Sequence, residues 1–486
     1  MPRKQRSPSV GATRRLNGKL VPRHEPAFYR SLPYCVSRPF LLENVVVLTA
    51  LACAAAYLRD DARAVMLVAA AAILHLLLPL EFSLLQGRFP RPFAQFLAQV
   101  DTLSSQDISW RKAIEAAPRT GERYCVLGGG GFLGSRVVRA LVLRGETNVL
   151  VVDMDTAGLA KLKSELPSVT TLRADVRSMD DMLHALRQVD CVIATFALIR
   201  FWERLERHFD RSAAVNVEGT RVVIAACEAC GVKRLVQTST GNVTLRYPRG
   251  VPSGCTERTA LVTARNALHN YALSKAQAEA LVLEANCPAL TTGSIRPCSN
   301  VYGYGDKLHL DRIVPNRTLL VIDCEMLTDW VHVDHLVLAH LLLEAKLRQG
   351  STSPCAGQSF SITGGELVRD GLFFAAVRRE AQRLLGGKPF TVARLPARIM
   401  HLVAMAVDLV YLVYPGNAVD LLGPQLGILT MATLLSASAE NPCRCDKAAR
   451  LLGYAPHMGH LTAIRKSLVE YREGRALLEE TLEEIA

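Results

Sequence analysis

The stretch YCVLGGGGFLGSRVV, Tyr124 to Val138, decides the fold. Its four glycines, Gly128 to Gly131, close a strand-like run (RYCVLGG) and open an amphipathic helical segment (GSRVVRALVLRG) that ends at Gly145. Two spacings fit at once: Gly129, Gly131 and Gly134 make G-x-G-x-x-G, while Gly128, Gly131 and Gly134 make G-x-x-G-x-x-G. The first spacing is shared by many nucleotide-binding proteins and the second is narrower, and the glycines alone do not choose between them. Glycine lets the backbone turn sharply and approach a pyrophosphate, and a helix N-terminus offers free N–H groups and a positive dipole.

The next strand-like run, TNVLVVDMD, places Asp153 nineteen residues after Gly134, where a carboxylate accepts hydrogen bonds from the hydroxyls of an adenosine ribose. An acid there repels a 2′-phosphate, and the next residue is Met154 rather than Arg, so NAD is favoured over NADP. Further short runs, VTTLRADV, DCVIATFA, VKRLVQTST and LTTGSIRP, alternate with helical stretches such as VEGTRVVIAACEAC. That rhythm predicts an α/β fold, a Rossmann-type doubly wound parallel sheet with helices on both faces. Past about residue 300 the rhythm weakens. Residues 122–300 are therefore assigned to the nucleotide-binding domain and 301–486 to a smaller C-terminal substrate-binding region.

Upstream, the 486-residue chain concentrates its net charge of +12 in a basic arm. Residues 1–30 carry Arg3, Lys4, Arg6, Arg14, Arg15, Lys19, Arg23 and Arg30 against Glu25 alone. Because no aromatic residues alternate with its charges, the arm suits an anionic membrane surface better than a nucleic acid, which is excluded as a partner. Residues 1–38 are expected to be a disordered tail. Two apolar runs come next, Phe40–Leu58 and Ala64–Leu80, joined by RDDAR. Residues 39–82 thus form an N-terminal apolar helical hairpin, membrane-associated, with 83–121 as linker. As helices the runs rise roughly 28 and 26 Å, slightly short of a ~30 Å hydrocarbon core. A spanning hairpin, an interfacial one and a buried soluble one all remain open. A second apolar patch, Ile399–Val413 and Leu421–Leu435 around Pro415 and Gly416, is core, a wall of an apolar substrate funnel, or an interfacial helix. Thirteen scattered cysteines imply no disulfide framework, and the isolated pairs Cys227/Cys230 and Cys443/Cys445 imply no metal site.

Tyr271 and Lys275 form Y-x-x-x-K in the helix-prone NYALSKAQAEALVLEA. Residues four apart share a helix face, so the phenol and the ammonium point into one cleft, and the cation is expected to lower the phenol's pKa from about 10. Thr238, Ser239 and Thr240 end a strand-like run and supply a hydroxyl for a substrate oxygen. Hydroxyl, tyrosine and lysine are what alcohol–ketone interconversion needs: a base takes the alcohol proton as hydride leaves carbon for a nicotinamide.

From about Arg123 to Tyr471 the chain resembles the extended short-chain dehydrogenase/reductases, and within them the 3β-hydroxysteroid dehydrogenase/isomerase family, which includes sterol-4α-carboxylate 3-dehydrogenases. The resemblance rests on GGGGFLG, ADV, NVEGTRVVIAAC, GVKRLVQTST, YALSKAQAE, IRPCSNVYGYGD, DWVHVDHLVLAH and KAARLLGYAP. It implies Thr240, Tyr271 and Lys275 as catalytic residues. The cofactor positions it implies are Gly128, Gly131, Phe132, Leu133 and Gly134 of the loop, with Asp153, Asp175, Val176, Thr195, Phe196, Tyr271, Lys275 and Pro297. Gly129 and Gly130 are then variable positions. The implied activity is NAD-dependent oxidation of a steroid or sterol 3β-hydroxyl at the endoplasmic reticulum membrane, the catalytic part facing the cytosol, with a mitochondrial site as the alternative and a homodimer left open. A nucleotide-sugar epimerase or dehydratase and a non-catalytic NAD-binding scaffold are the competing readings. Three positions depart from the family pattern: Leu127 replaces the usual Thr before the first cofactor glycine, Phe196 the usual small residue, and His335 the usual Asn.

Overall fold

A computed structural model describes residues 14–16, 19–21, 93–247, 254–298, 300–321, 326–388, 390–394, 397–414, 417–437 and 443–477. The chain divides into two units, Met1–Leu84 and Leu85–Ala486. In the first, Arg14–Leu16 pairs antiparallel with Lys19–Val21 inside the basic arm. The hairpin expected at 39–82 lies outside the described residues.

The second unit is built on seven parallel strands: β1 (Arg123–Leu127), β2 (Asn148–Asp153), β3 (Thr170–Arg173), β4 (Cys191–Ala194), β5 (Arg234–Thr238), β6 (Thr291–Pro297) and β7 (Gln358–Ile362). Their order is β7-β6-β5-β4-β1-β2-β3. Strand β1 lies between β2 and β4, with Leu127 level with Val152 on one side and Ala194 on the other. The order reverses there, so the crevice beyond the carboxyl ends of β1 and β4 is the ligand position of such a sheet. Four strands are buried on both faces along nearly their whole length, as a sheet covered by helices on each side requires, β1 and β4 with mainly apolar side chains and β5 and β6 with several polar ones. The seventh strand comes from beyond residue 300, in register with β6 from Gly293 to Pro297. The sheet therefore draws on both regions assigned from the sequence.

Five helices matter for the site: α1 (Phe132–Leu143), α2 (Gly219–Cys230), α3 (Asn270–Glu284), α4 (Val333–Leu347) and α5 (His460–Glu473). Helix α4 is buried along nearly its whole length against β5, β6 and α1, and its buried Asp334, His340 and Glu344 each have a polar partner. Within the stretch expected to be linker, helix Phe93–Leu97 buries Phe93 and Phe96 in a cluster with Phe373, Leu461 and Leu468. Among the described residues no helix is long and apolar enough to cross a membrane.

One buried ionic knot ties α1 to the C-terminal region. The Arg136 guanidinium, 1% exposed, donates to Asp334 of α4 at 2.9 Å, to Glu470 of α5 at 2.6 and 3.1 Å, and to the Tyr304 carbonyl at 3.2 Å. Lys466 adds a second cation 3.2 Å from Asp334. Burial pushes the Asp334 carboxyl up, but Arg136 and Lys466 outweigh it and hold the group ionised, well below the usual carboxylate range. Arg136→Met would leave Glu470 and Asp334 buried without the guanidinium that joins them, Lys466 still facing Asp334. We expect a loss of about 3–5 kcal/mol, read as a lower denaturant midpoint with an unchanged slope.

Candidate active site

The glycine loop passes from β1 to α1 with Gly128 at φ +79°, a left-handed conformation that favours glycine. A Cβ added at Gly134 would lie 2.1 Å from the Gly128 carbonyl oxygen, so α1 can rest on the loop only because residue 134 has no side chain. The backbone thus needs glycine at Gly128 for its conformation and at Gly134, which both spacings share, for its closeness to the loop. Gly129 is not a variable position, because a Cβ there would meet Val151 Cγ1 at 2.4 Å and the Val126 carbonyl at 2.9 Å. The helix starts at Phe132 without a side-chain cap. Its first N–H groups, those of Phe132, Leu133 and Gly134, have no partner one turn back and are open to an anion.

Asp153 ends β2 beneath this loop. Its carboxylate accepts from Gly130 N–H at 3.0 Å and from Asp155 N–H at 2.9 Å, one bond on each oxygen, which leaves each oxygen a free lone pair. Asp175 lies just after β3 and is paired with Arg177 at 2.6 Å; the hydrogen bonds from Arg177 outweigh burial and hold its carboxyl below the usual range. Val176 is buried, with its Cγ2 3.0 Å from where a Cβ on Gly219 of α2 would stand. These groups line one continuous rim above β1, β2 and β3. A loop without side chains, an uncapped helix start and a half-buried acid fit a dinucleotide, with the pyrophosphate over Phe132–Gly134 and the adenosine ribose against Asp153.

Thr195, just beyond β4, donates its hydroxyl to the Leu127 carbonyl at 2.9 Å and to the Gly128 carbonyl at 3.2 Å. The brace that the loop lacks at Leu127 is supplied from the neighbouring strand. Phe196 turns away from the loop: its backbone faces Gly128, its ring approaches Gly219, and it packs on the apolar cluster around Val176 and Val223. His335 is buried on α4, its ring 4.9 Å from that of His457.

The three catalytic candidates come together at the carboxyl ends of β5 and β6. Thr240 caps a short turn, accepting from Asn242 N–H at 3.2 Å, and its hydroxyl is a hydrogen-bond partner of the Tyr271 phenol. Gly241 rests on the carbonyls of Pro297 and Cys298, which joins this turn to the end of β6. Tyr271 and Lys275 share the buried face of α3. The helix is capped by His269, whose Nδ1 accepts from Ala272 N–H at 2.9 Å. Burial holds that imidazole neutral, down at about 4. Lys275 donates to the Thr238 carbonyl at 2.7 Å, and burial brings its ammonium down to about 8.

The electrostatics correct one expectation. Tyr271 is not lowered by Lys275; burial pushes its phenol up to about 12, with Thr240 alone working in the opposite direction. Removing both groups from water disfavours whichever form carries charge, and that desolvation exceeds the attraction between them.

Asn216 holds the frame of the candidate site, a part to which the sequence motifs give no role. It lies in a π-turn, Ala214–Glu218, between helix Phe209–Ala213 and α2. Its side chain accepts from Leu198 N–H at 2.8 Å, donates to the Leu198 carbonyl at 3.0 Å and donates to Ser274 of α3 at 3.0 Å. The loop after β4 is thereby stapled to the turn between Tyr271 and Lys275. An asparagine inside an otherwise helical, apolar-periodic run is the available sequence signal, because such a residue buried without a task is costly.

Thr195→Val keeps the side-chain shape and removes the double brace. Loss of about 1–2 kcal/mol of loop organisation is expected to weaken dinucleotide binding roughly 5- to 30-fold. Titration of the nucleotide followed by tryptophan fluorescence would show it, with thermal unfolding nearly unchanged.

The 3-beta hydroxysteroid dehydrogenase/isomerase family matches residues 125–376. Similar curated proteins include short-chain dehydrogenase/reductase family 42E member 1 of Danio rerio, 31% identical over 354 residues that cover 70% of this chain and 86% of that one. Another is the 3beta-hydroxysteroid-dehydrogenase/decarboxylase isoform 2 of Arabidopsis thaliana, 30% identical over 71% of this chain and 62% of that one. Among solved structures, a dTDP-glucose 4,6-dehydratase from Streptomyces venezuelae with NAD bound superposes with a TM-score of 0.53 at 22% identity, covering 72% of this chain and 97% of that one, a likeness of fold. With the family's span running from β1 past β7 and through every catalytic candidate, the chain belongs to the 3-beta hydroxysteroid dehydrogenase/isomerase family of the extended short-chain dehydrogenase/reductases.

Proposed function

We propose that this chain is an NAD-dependent oxidoreductase that converts the 3β-hydroxyl of a steroid or sterol to the 3-ketone. The observation that carries the reading is the meeting of Thr240, Tyr271 and Lys275 at the carboxyl ends of β5 and β6, on the same edge of the parallel sheet as the glycine loop after β1. When bound, the nicotinamide accepts the hydride. Thr240 and Tyr271 hold the substrate oxygen, Tyr271 takes its proton, and Lys275, fixed on the Thr238 carbonyl, holds the cation beside them. On a substrate with a carboxylate on the adjacent carbon, the product is a β-keto acid, which loses CO₂ with no additional catalytic group. The Arabidopsis relative's name, a dehydrogenase/decarboxylase, supports that second step.

The walls support an apolar substrate. Helix Met431–Ala437 places Ala432 on Leu245 and Leu268, which flank the Thr240 turn and the start of α3. Helix Ala397–Val413 sets Val407 and Tyr411 against Trp202 and Leu205 of the loop after β4. Three of the arginines on and just after that loop are engaged: Arg200 and Arg211 with Glu203, and Arg207 with the carbonyls at the end of helix Ala397–Val413. A second diphosphate, which a nucleotide sugar would bring, finds no unengaged cation in these three residues.

A membrane site at the endoplasmic reticulum, with the catalytic unit on the cytosolic side, is part of the same proposal. It is supported by the basic arm and by the apolar runs Phe40–Leu58 and Ala64–Leu80. Protease protection of the RDDAR tip in sealed microsomes is expected; full cleavage from the cytosolic side would contradict a spanning hairpin.

Full-length protein in detergent should reduce NAD when given a 3β-hydroxysterol or its 4α-carboxylate, and Tyr271→Phe should cut the rate at least ~100-fold. Epimerisation or dehydration of a nucleotide sugar, without sterol turnover, would overturn the reading. The pH profile has a definite form. The active pair needs Lys275 protonated and Tyr271 ionised, and their values in the free protein are about 8 and about 12. Between those values the gain in phenolate cancels the loss of ammonium. Oxidative kcat/KM should therefore rise about tenfold per pH unit up to about pH 8 and then level off.

A further inference from the structure

Four cysteines gather beside the catalytic turn: Cys255 on the segment leading to α3, Cys298 just after β6, and Cys443 and Cys445 before helix Asp446–Leu452. Cys255 and Cys443 stand directly opposite one another in an isolated parallel bridge, closed by a hydrogen bond of 3.1 Å from Arg444 N–H to the Cys255 carbonyl. Residues so paired have Cα atoms about 4.7–4.9 Å apart, inside the range of about 4.4–6.8 Å that a disulfide spans. The Cys443 side chain interacts with those of both Cys255 and Cys298, and Thr244 Oγ1 lies 3.2 Å from the Cys255 sulfur. Cys298 presents its carbonyl to the Cys443 thiol at 3.8 Å and turns its own sulfur toward the Arg296 carbonyl, while Cys445 accepts from Thr363. Of the four, Cys255 and Cys443 are the two whose backbones are in register.

We propose that Cys255 and Cys443 are a modification site, a thiol pair that a peroxide converts to a disulfide clamping the wall of the catalytic cleft to the C-terminal segment. Cys443 is the point of entry because it is partly exposed, whereas Cys255 is 5% exposed. The Cys443 sulfur attacks one peroxide oxygen, the O–O bond breaks, and a sulfenic acid and water result. The Cys255 sulfur then attacks the Cys443 sulfur, the S–O bond breaks, and a second water leaves. In sum, two thiols and one hydrogen peroxide give one disulfide and two waters. Both thiols are held neutral: Cys255 by its hydrogen bond to Cys443 and by burial, and Cys443 by its contact with Cys298 and by burial, against a lowering from Cys255. The pair is accordingly slow to react with dilute peroxide and responds to sustained exposure.

The clamp joins a segment packed on the Thr240 turn to one that leads into the main core. The segment from Cys255 to His269 is held to the Thr240 turn by Val262 N–H to the Val243 carbonyl at 2.8 Å and by Leu268 N–H to the Leu245 carbonyl at 3.3 Å. Cys443 leads into the helix whose Ala448 and Leu452 enter the main core. A covalent link closing so long a loop restricts the unfolded chain more than the folded one.

The full-length protein, held for hours in excess hydrogen peroxide, quenched with catalase, alkylated and digested, should yield a peptide pair joined through Cys255 and Cys443 and lighter by two hydrogens than the sum of the free peptides. Its thermal midpoint should rise by roughly 3–6 °C and return on adding dithiothreitol. Cys443→Ser and, separately, Cys255→Ala should lose both effects, and Cys298→Ser should keep them. Recovery of Cys255 and Cys443 as alkylated thiols after the treatment, or linkage of Cys443 to Cys298 or Cys445, would overturn the proposal. None of these readouts depends on the sterol reading.

Discussion

The approach of α1 to β1 constrains most of the catalytic unit. With no Cβ at Gly134, the helix start comes onto the Gly128 carbonyl at a distance no other residue permits. Its uncapped N–H groups are thereby presented at the sheet's switch point, where the dipole favours an anion. Two residues on, Arg136 leaves the same helix toward Asp334 and Glu470, so the position of α1 also decides whether the C-terminal region can dock. A methyl group at residue 134 would displace the cofactor end and the ionic knot together.

That coupling gives the Arg136 cluster a particular character. A buried ion pair adds little net stability over apolar packing, because its attraction mainly offsets its desolvation. What it does supply is geometry: a guanidinium that reaches two helices and a carbonyl admits few arrangements. Helix α5 is thus indexed to the nucleotide loop across 334 residues of sequence. The Tyr304 carbonyl, the third partner, belongs to a loop whose Gly303 and Gly305 lie against the Phe132 ring.

The features legible in the sequence were those with a local signature. Strand, glycines, helix and terminal acid succeed one another between Tyr124 and Asp153, and Y-x-x-x-K lies on one helix. What escaped depends on distant neighbours. The bulk that makes Gly129 obligatory is the Val151 side chain on the next strand, and the brace replacing a threonine at 127 comes from Thr195, 68 residues away. The seventh strand was not assigned to the sheet because its partner β6 lies some sixty residues earlier, and pairing of that range leaves no periodic mark. The π-turn that aims Asn216 at Leu198 and Ser274 inserts into a run whose helical period looks continuous.

The sign of the tyrosine shift is the deepest of these omissions, since spacing reveals which groups meet but not how much water they lose. At about 12 for Tyr271 and about 8 for Lys275, each group has been moved toward its neutral form. The free protein at neutral pH therefore holds a protonated phenol, the form needed to give a proton to an alkoxide as a ketone is reduced. Abstraction of an alcohol proton requires the opposite form, and a positive charge brought beside the phenol favours it by the same Coulomb rule that burial works against. A dry site amplifies such a charge far more than water would. Desolvation then has two effects at once: it suppresses phenolate while the crevice is empty, and it makes the phenol responsive to the charge of whatever fills the crevice.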